Sequence, residues 1–348
     1  MIRNKIVKDD IIVRKSILHI LNSGSGQIGL ATNLIDMGPD LFDMIRDNVF
    51  KVLDNDERIS CKLDKNTSVA KAIENLKETN DQSFIDTTRN LAEQLFDIMC
   101  DSVQIPSADL LCASFQVDGN IYLALLKMNY HSTFVHYQNK DDVTDIVKQN
   151  VIQSGKLTEA VIFDLSGKKD VYLVQKKYEM LNGEKCNYLS ERFLICMAGL
   201  PPKKKFQILN RTIMDLINQS RQDGLKAQFH TKKAFYDCFV EDGIFDINKI
   251  GSELFKDNGE NLSIYDQKME RYDMQFDKFA VIKESTVSKL NYLEMETDTG
   301  IIIKIPMETF NEANIEISES QMDGTTSFAI NNLSLIHISE PTRLRCIS

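Results

Sequence analysis

Residues 108–130 read ADLLCASFQVDGNIYLALLKMNY. Two apolar runs, Ala108 to Val117 and Asn120 to Tyr130, flank the dipeptide Asp118-Gly119. Asp-Gly between two strand-like segments is a strong short-range hairpin signal, because both central residues of a tight hairpin turn need positive φ. A second hairpin of the same kind pairs Leu157 to Leu165 with Asp170 to Lys177 across Ser166-Gly167-Lys168-Lys169. Four strands joined by short turns form one antiparallel sheet, and apolar faces on such a sheet need helices to cover them.

Those helices are legible on the N-terminal side. Ile6 to Leu21 is β-branched and apolar (Ile11, Ile12, Val13, Ile17, Leu18, Ile20) and is expected to give one or two strands, followed by a glycine-rich turn from Asn22 to Gly29. Pro39 suits the first turn of a helix and opens one with Leu41, Met44/Ile45, Val49 and Val52/Leu53 on one face. Two more helices are expected at about Ser68 to Glu78 and Ser83 to Asp101. In the second, Phe84, Thr88, Leu91, Leu95 and Ile98/Met99 form a stripe that Asp81 or Ser83 would cap.

On the C-terminal side the pattern predicts a short helix from Ser190 to Ala198, a break at Gly199-Leu200-Pro201-Pro202, then a long helix whose apolar positions are Phe206, Leu209, Ile213 and Leu216/Ile217. Helical character continues to about Phe255. After a turn at Asn258-Gly259, strands are expected at Phe279 to Lys283, Leu290 to Glu296 and Gly300 to Ile305. The class is therefore α+β: antiparallel sheet flanked by amphipathic helices in residues 1–223, then a smaller helical and β region in 224–332. Leu333 to Ser348 begins LSLIHISEPTR, which reads as translated sequencing-adapter DNA, so residues 333–348 are expected to be an artefactual tail replacing the authentic C-terminus.

A chain of 348 residues with 43% hydrophobic and 26% charged residues can bury a sizeable core. It has no run of about 18 apolar residues and its first residues lack the apolar stretch of a signal peptide, which points to the cytoplasm and to no membrane partner. The seven cysteines are scattered without a C-x-x-C pair and read as reduced, mostly buried thiols.

Enzyme signatures are weak. Gly24-Ser25-Gly26-Gln27-Ile28-Gly29 matches G-x-G-x-x-G, yet Gly38-Pro39 arrives too soon for the crossover helix that a dinucleotide fold places directly after its third glycine; a surface turn explains it better. Ser68-Val69-Ala70-Lys71 matches S-x-x-K without companion motifs, and Ser68 as a helix cap accounts for it. His19, His131, His136 and His230 show no metal-ligand spacing. The chain reads as a non-enzyme, with no cofactor and no metal site.

One strong signal remains. Between residues 203 and 233, eight cations (Lys203, Lys204, Lys205, Arg211, Arg221, Lys226, Lys232 and Lys233) stand against Asp215 and Asp223, a local charge of +6 in a chain of −10. At 3.6 residues per turn Lys204 and Arg211 fall opposite the apolar stripe. A solvated helix face is the plain explanation. Non-specific, salt-sensitive contact with DNA phosphates is the functional one. The acidic remainder opposes long-range attraction to DNA, which a homodimer doubling the patch would offset, and an acidic protein surface is an equally legal partner.

The segments Ile17 to Asn22, Leu110 to Asn129, Leu157 to Gln175 and Tyr188 to Gly199 (YLSERFLICMAG) also resemble the bacterial nucleoid-associated protein family of the NdpA/YejK type. The resemblance covers nearly all of residues 1–332 and rests on ordered hydrophobic blocks. It implies a cytoplasmic protein at the nucleoid, without enzymatic activity, in contact with DNA or with DNA-topology enzymes. It carries over no catalytic or ligand residue.

Overall fold

Asp118 and Gly119 turn with φ of 48° and 80°, the left-handed pair a two-residue hairpin turn requires. They set Val117 opposite Asn120 and so fix the register of strands β4 (Ala108–Val117) and β5 (Asn120–Gln138). The structure is a computed structural model and describes residues 6–138, 144–152, 157–166, 170–181, 183–196, 198–219, 229, 232–234, 236–237, 243–256, 258–283, 285, 291–296, 299–308, 315–319 and 326–331. The adapter-like tail lies outside the described residues.

The central sheet adds β1 (Ile12–Asn22), β2 (Gln27–Gly29), β3 (Ile59–Lys62), β6 (Thr144–Ile152), β7 (Glu159–Asp164) and β8 (Asp170–Gln175). Its order is β2-β1-β4-β5-β7-β8-β3, with β6 on the far part of β5, and all its pairs are antiparallel. Both faces are covered. Leu110, Cys112, Leu123, Leu125, Val161 and Leu173 pack with α3 (Asp81–Cys100) through Phe84, Leu91, Leu95 and Met99. Leu111, Ala113, Phe115, Ala124, Leu126, Ile162 and Val174 pack with α1 (Pro39–Leu53) through Ile45, Val49, Val52 and Leu53. Double burial explains why β4 reads as a continuous apolar run although its neighbours are antiparallel.

Several local expectations change. Thr67, not Ser68, caps α2 (Ser68–Glu74) by accepting from the Ala70 amide at 3.1 Å, and Asn80, not Asp81 or Ser83, caps α3 by accepting from the Ser83 amide at 3.1 Å. In both cases the cap side chain sits one residue before the helix, where its oxygen reaches the free amides. The G-x-G-x-x-G run is the β1–β2 hairpin turn. Its third glycine is in β2, not before a helix, and the Gly24 amide is tied to Ser107 Oγ at 2.9 Å. The expected helix from Ser190 to Ala198 is a single π-helical turn, Leu189–Phe193. Ile195 at φ 50° ends it, and the wide turn buries Leu189, Phe193 and Leu194 in the cluster that contains α3. Strand β5 continues past Tyr130, and two short strands not foreseen, β9 (Glu179–Leu181) and β10 (Glu184–Cys186), form a small hairpin.

The chain divides into two compact units, residues 1–204 and 205–348. The boundary expected near Gly224 falls outside the described residues. The apolar stripe of α4 (Pro202–Gln219) belongs to the second core: Leu209, Ile213 and Leu216 cluster with Phe245, Ile250, Tyr265, Met269 and Phe279. In that unit the expected helix through Phe255 is interrupted. Gly243 at φ 62° precedes β11 (Phe245–Asp246), which pairs with β12 (Lys278–Phe279), and only then does α5 (Ile247–Leu254) begin under an Asp246 cap. Asn258-Gly259 is not a plain turn. Asn258 accepts from the Asn261 amide at 3.0 Å and starts α6 (Gly259–Arg271). Gly251 in α5 makes room for α6: a Cβ there would lie 2.3 Å from the ring of Tyr265. Hairpins β13 (Tyr292–Glu296) with β14 (Ile302–Pro306), and β15 (Ile315–Glu319) with β16 (Thr326–Ile330), complete the unit.

Candidate nucleic-acid interface

Pro202 begins α4 and Leu209, Thr212, Ile213 and Leu216 are buried along it, so the helix has an inner face fixed by packing. Lys204, Gln207, Asn210 and Arg211 are the exposed residues of its first three turns. Arg211 keeps 86% of its side chain accessible; its nearest acid is Asp215, at 3.9 Å one turn on. Lys204 and Arg211 are two turns apart on the same side, about 10 Å along the axis.

Other members of the sequence-predicted patch are already engaged. Lys203 Nζ lies 3.0 Å from Glu57 Oε1, while Lys176 Nζ lies 3.1 Å from Glu57 Oε2. The hydrogen bond from Lys203, then that from Lys176, holds the Glu57 carboxyl below its usual range. Lys205 pairs with Asp277 at 2.6 Å. Lys233 pairs with Asp237 at 2.7 Å and lies over the Tyr236 ring. Burial lowers the Lys232 ammonium, with Glu294 acting against that shift. Arg221 and Lys226 lie outside the described residues. The structure therefore places Lys204 and Arg211 side by side on one solvent face and puts Lys203, Lys205 and Lys233 into ion pairs.

One cation was missed. Lys268 on α6 approaches Asp215 from the other side at 4.0 Å, so Arg211 and Lys268 flank one carboxylate. The signal was present in the sequence: Asn258 as a cap, Glu260 in the first turn, and Leu262, Tyr265 and Met269 at helical spacing.

Polar groups deeper in the first unit are arranged for structure. Lys127 and Glu159 are directly opposed on β5 and β7 and fully buried, 3.0 Å apart. The Lys127 ammonium also donates to Asn129 Oδ1 at 2.6 Å and to the Pro106 carbonyl at 3.2 Å, and Glu159 further accepts from Asn129 Nδ2 and the Tyr188 hydroxyl. Burial lowers the Lys127 ammonium and raises the Tyr188 hydroxyl. His19 is similarly enclosed. Thr88 gives its hydroxyl proton to the Ile85 carbonyl, so His19 Nε2–H donates to Thr88 Oγ1 at 3.2 Å while Nδ1 accepts from the Ala31 amide at 3.3 Å. Burial first, then the Arg89 charge, holds this imidazole down to about 4. Each of these groups has its hydrogen bonds filled by protein.

Among the described residues no cluster of three or more His, Cys, Asp or Glu could hold a metal, and no helix is long and apolar enough to cross a membrane. A cavity of about 290 Å³ beside α2 is lined by apolar residues such as Leu63, Ile73, Phe163 and Val171 together with Lys65, Glu74, Asp164 and Asp170.

These features define an α+β protein in which α4 carries two exposed cations, Lys204 and Arg211, opposite its buried stripe. The profile of the family described as nucleoid-associated protein YejK matches residues 17–335, and the chain belongs to that family. No curated protein sequence gives a match to the chain.

Proposed function

We propose that the chain is a non-enzymatic nucleoid-associated protein that binds DNA without sequence preference and acts in chromosome organisation, in the cytoplasm at the nucleoid. The observation that carries this reading is the outer face of α4, where Arg211 is 86% exposed and Lys204 stands two turns before it, opposite a fully buried stripe. Membership of the nucleoid-associated family supports the same reading. Of the eight cations, Lys204 and Arg211 are assigned the principal phosphate contacts. Lys203, Lys205, Lys232 and Lys233 contribute less because acids or burial already hold them, and Arg221 and Lys226 are assigned by charge alone. A homodimer would present the face twice and raise avidity.

The same cationic face permits a second reading: an adaptor that docks it on an acidic partner protein, such as a DNA-topology enzyme, with little DNA contact. A DNA titration across salt separates them. Direct binding predicts affinity falling with salt, and a salt slope reduced by about 2 in Lys204→Glu/Arg211→Glu. Affinity indifferent to salt, or unchanged in that variant, overturns the DNA reading. A partner retained after nuclease treatment, with no gel shift, establishes the adaptor.

A further inference from the structure

The turn that leads into β3 meets the start of α4. Its backbone is held by the Arg58 amide, which donates to the Asn55 carbonyl at 2.9 Å, and by the Glu57 amide, which donates to Asn55 Oδ1 at 2.9 Å. The Lys203 amide in turn donates to the Asp56 carbonyl at 3.1 Å, anchoring the first turn of α4. Asp56 is buried, and Arg58 donates to the Leu53 carbonyl at 2.9 Å and lies over the Tyr172 ring, so both neighbours of Glu57 are engaged within the fold. The Glu57 side chain is 39% exposed and divides its oxygens between two cations. Oε1 takes Lys203 Nζ at 3.0 Å, and Oε2 takes Nζ of Lys176, just past β8, at 3.1 Å. Those lysines keep 44% and 51% of their side chains accessible. Next to them in the chain, Lys177 and Lys204 are exposed and join no ion pair among the described residues.

One carboxylate with an ammonium on each oxygen has the arrangement in which a phosphodiester engages two lysines through its two non-bridging oxygens. We infer that Lys176 and Lys203, with Lys177 and Lys204 beside them, form a second phosphate-contact locus, and that Glu57 is its internal stand-in, displaced when a DNA backbone phosphate takes its place. The inference rests on the DNA reading above and adds to it Lys176 and Lys177, which lie outside the basic stretch of residues 203–233. The exchange breaks no covalent bond and moves no proton: the carboxylate turns to water and both ammonium groups donate to phosphate instead. Ion pairs this exposed contribute little to stability, so opening the clamp costs the fold little. Two ammonium groups share a single negative charge, so the clamp attracts anions even when closed. A protein carboxylate would replace Glu57 like for like. A DNA strand instead brings a charge at every nucleotide and releases condensed counterions as each lysine binds, which selects phosphate as the occupant.

The test is an anisotropy titration of the full chain against one DNA duplex at several salt concentrations. Glu57→Gln removes the charge at nearly constant shape and should bind several-fold more tightly than wild type at fixed salt, with an unchanged melting temperature. Adding Lys176→Gln/Lys203→Gln to that variant should lower its salt slope by about 2. In a Lys176→Gln/Lys203→Gln background, Glu57→Gln should give no gain, which separates release of two lysines from a general change of charge. An equal gain in both backgrounds, or no gain while the wild type binds DNA, overturns the locus and leaves the DNA reading standing. Failure of both the wild type and Glu57→Gln to bind overturns the two together.

Discussion

The two units stabilise charge in opposite ways. In residues 1–204 an eight-stranded sheet is covered on both faces, and ionisable groups inside it (Lys127, Glu159, His19) are enclosed and fully hydrogen-bonded. Among the described residues of 205–348 an apolar cluster joins α4, α5, α6 and the β11–β12 pair, and charged pairs such as Lys205–Asp277 and Lys278–Asp246 retain access to solvent. A buried charge is costly to remove singly, while an exposed one contributes little to stability and can change freely. The lesson is that the first unit is constrained by its polar core, whereas an exposed charge such as Arg211 is free to change.

The most severe way to break that contrast is to remove one member of the buried pair. Lys127→Met leaves Glu159 without its principal countercharge in a fully buried site and should lose about 3–5 kcal/mol in denaturant unfolding. Lys205→Met, whose partner Asp277 is partly solvated, should lose less than about 1 kcal/mol. Equal losses would erase the distinction between the units.

The next effect is acid dependence. His19 is held down to about 4 in the folded chain, against an ordinary value near 6.5, so the unfolded state binds more protons between those limits. The stability His19 contributes is complete above about pH 6.5 and is lost as pH falls toward 4, by up to about 3 kcal/mol. His19→Gln should flatten the pH dependence of unfolding in that window. A slope unchanged in the variant would refute this account.

The smallest change sharpens the division itself. Gly251→Ala drives a methyl group into the Tyr265 ring, whose hydroxyl holds the Ile247 carbonyl at 2.9 Å, and should cost roughly 1–3 kcal/mol. Hydrogen exchange should rise in α5 and α6 while α3 and β4 keep their protection. A uniform rise would mean that the units unfold as one.

Much of the first unit was legible because its signals are local. Asp118-Gly119 fixed a turn, Pro39 a helix start, and the stripe from Phe84 to Met99 a buried face. The far part of β5, paired with β6, was not legible: residues 131–138 mix His, Ser, Thr and Gln with Phe134 and Val135, and an exposed ribbon has no buried face to impose alternation. In the second unit Asn258-Gly259 carried two meanings, and side-chain capping prevailed over turn formation because Leu262, Tyr265 and Met269 had a core to enter. The basic patch was visible as composition, but which lysines were spent on Glu57, Asp277 and Asp237 depends on three-dimensional neighbours that spacing does not encode.

The opposed positions of Lys127 and Glu159 have a consequence for how the chain finds its pairing. A slip of one residue between β5 and β7 moves every side chain to the other face of the sheet. Most of the residues there are aliphatic on both sides, so hydrophobic burial alone discriminates weakly between the correct and the slipped ladder. The ion pair does not: displaced by one position, an ammonium and a carboxylate would be sealed in apolar surroundings without each other. The pair thus acts as an error check on strand alignment, penalising misregistered sheets during folding more than it rewards the native one.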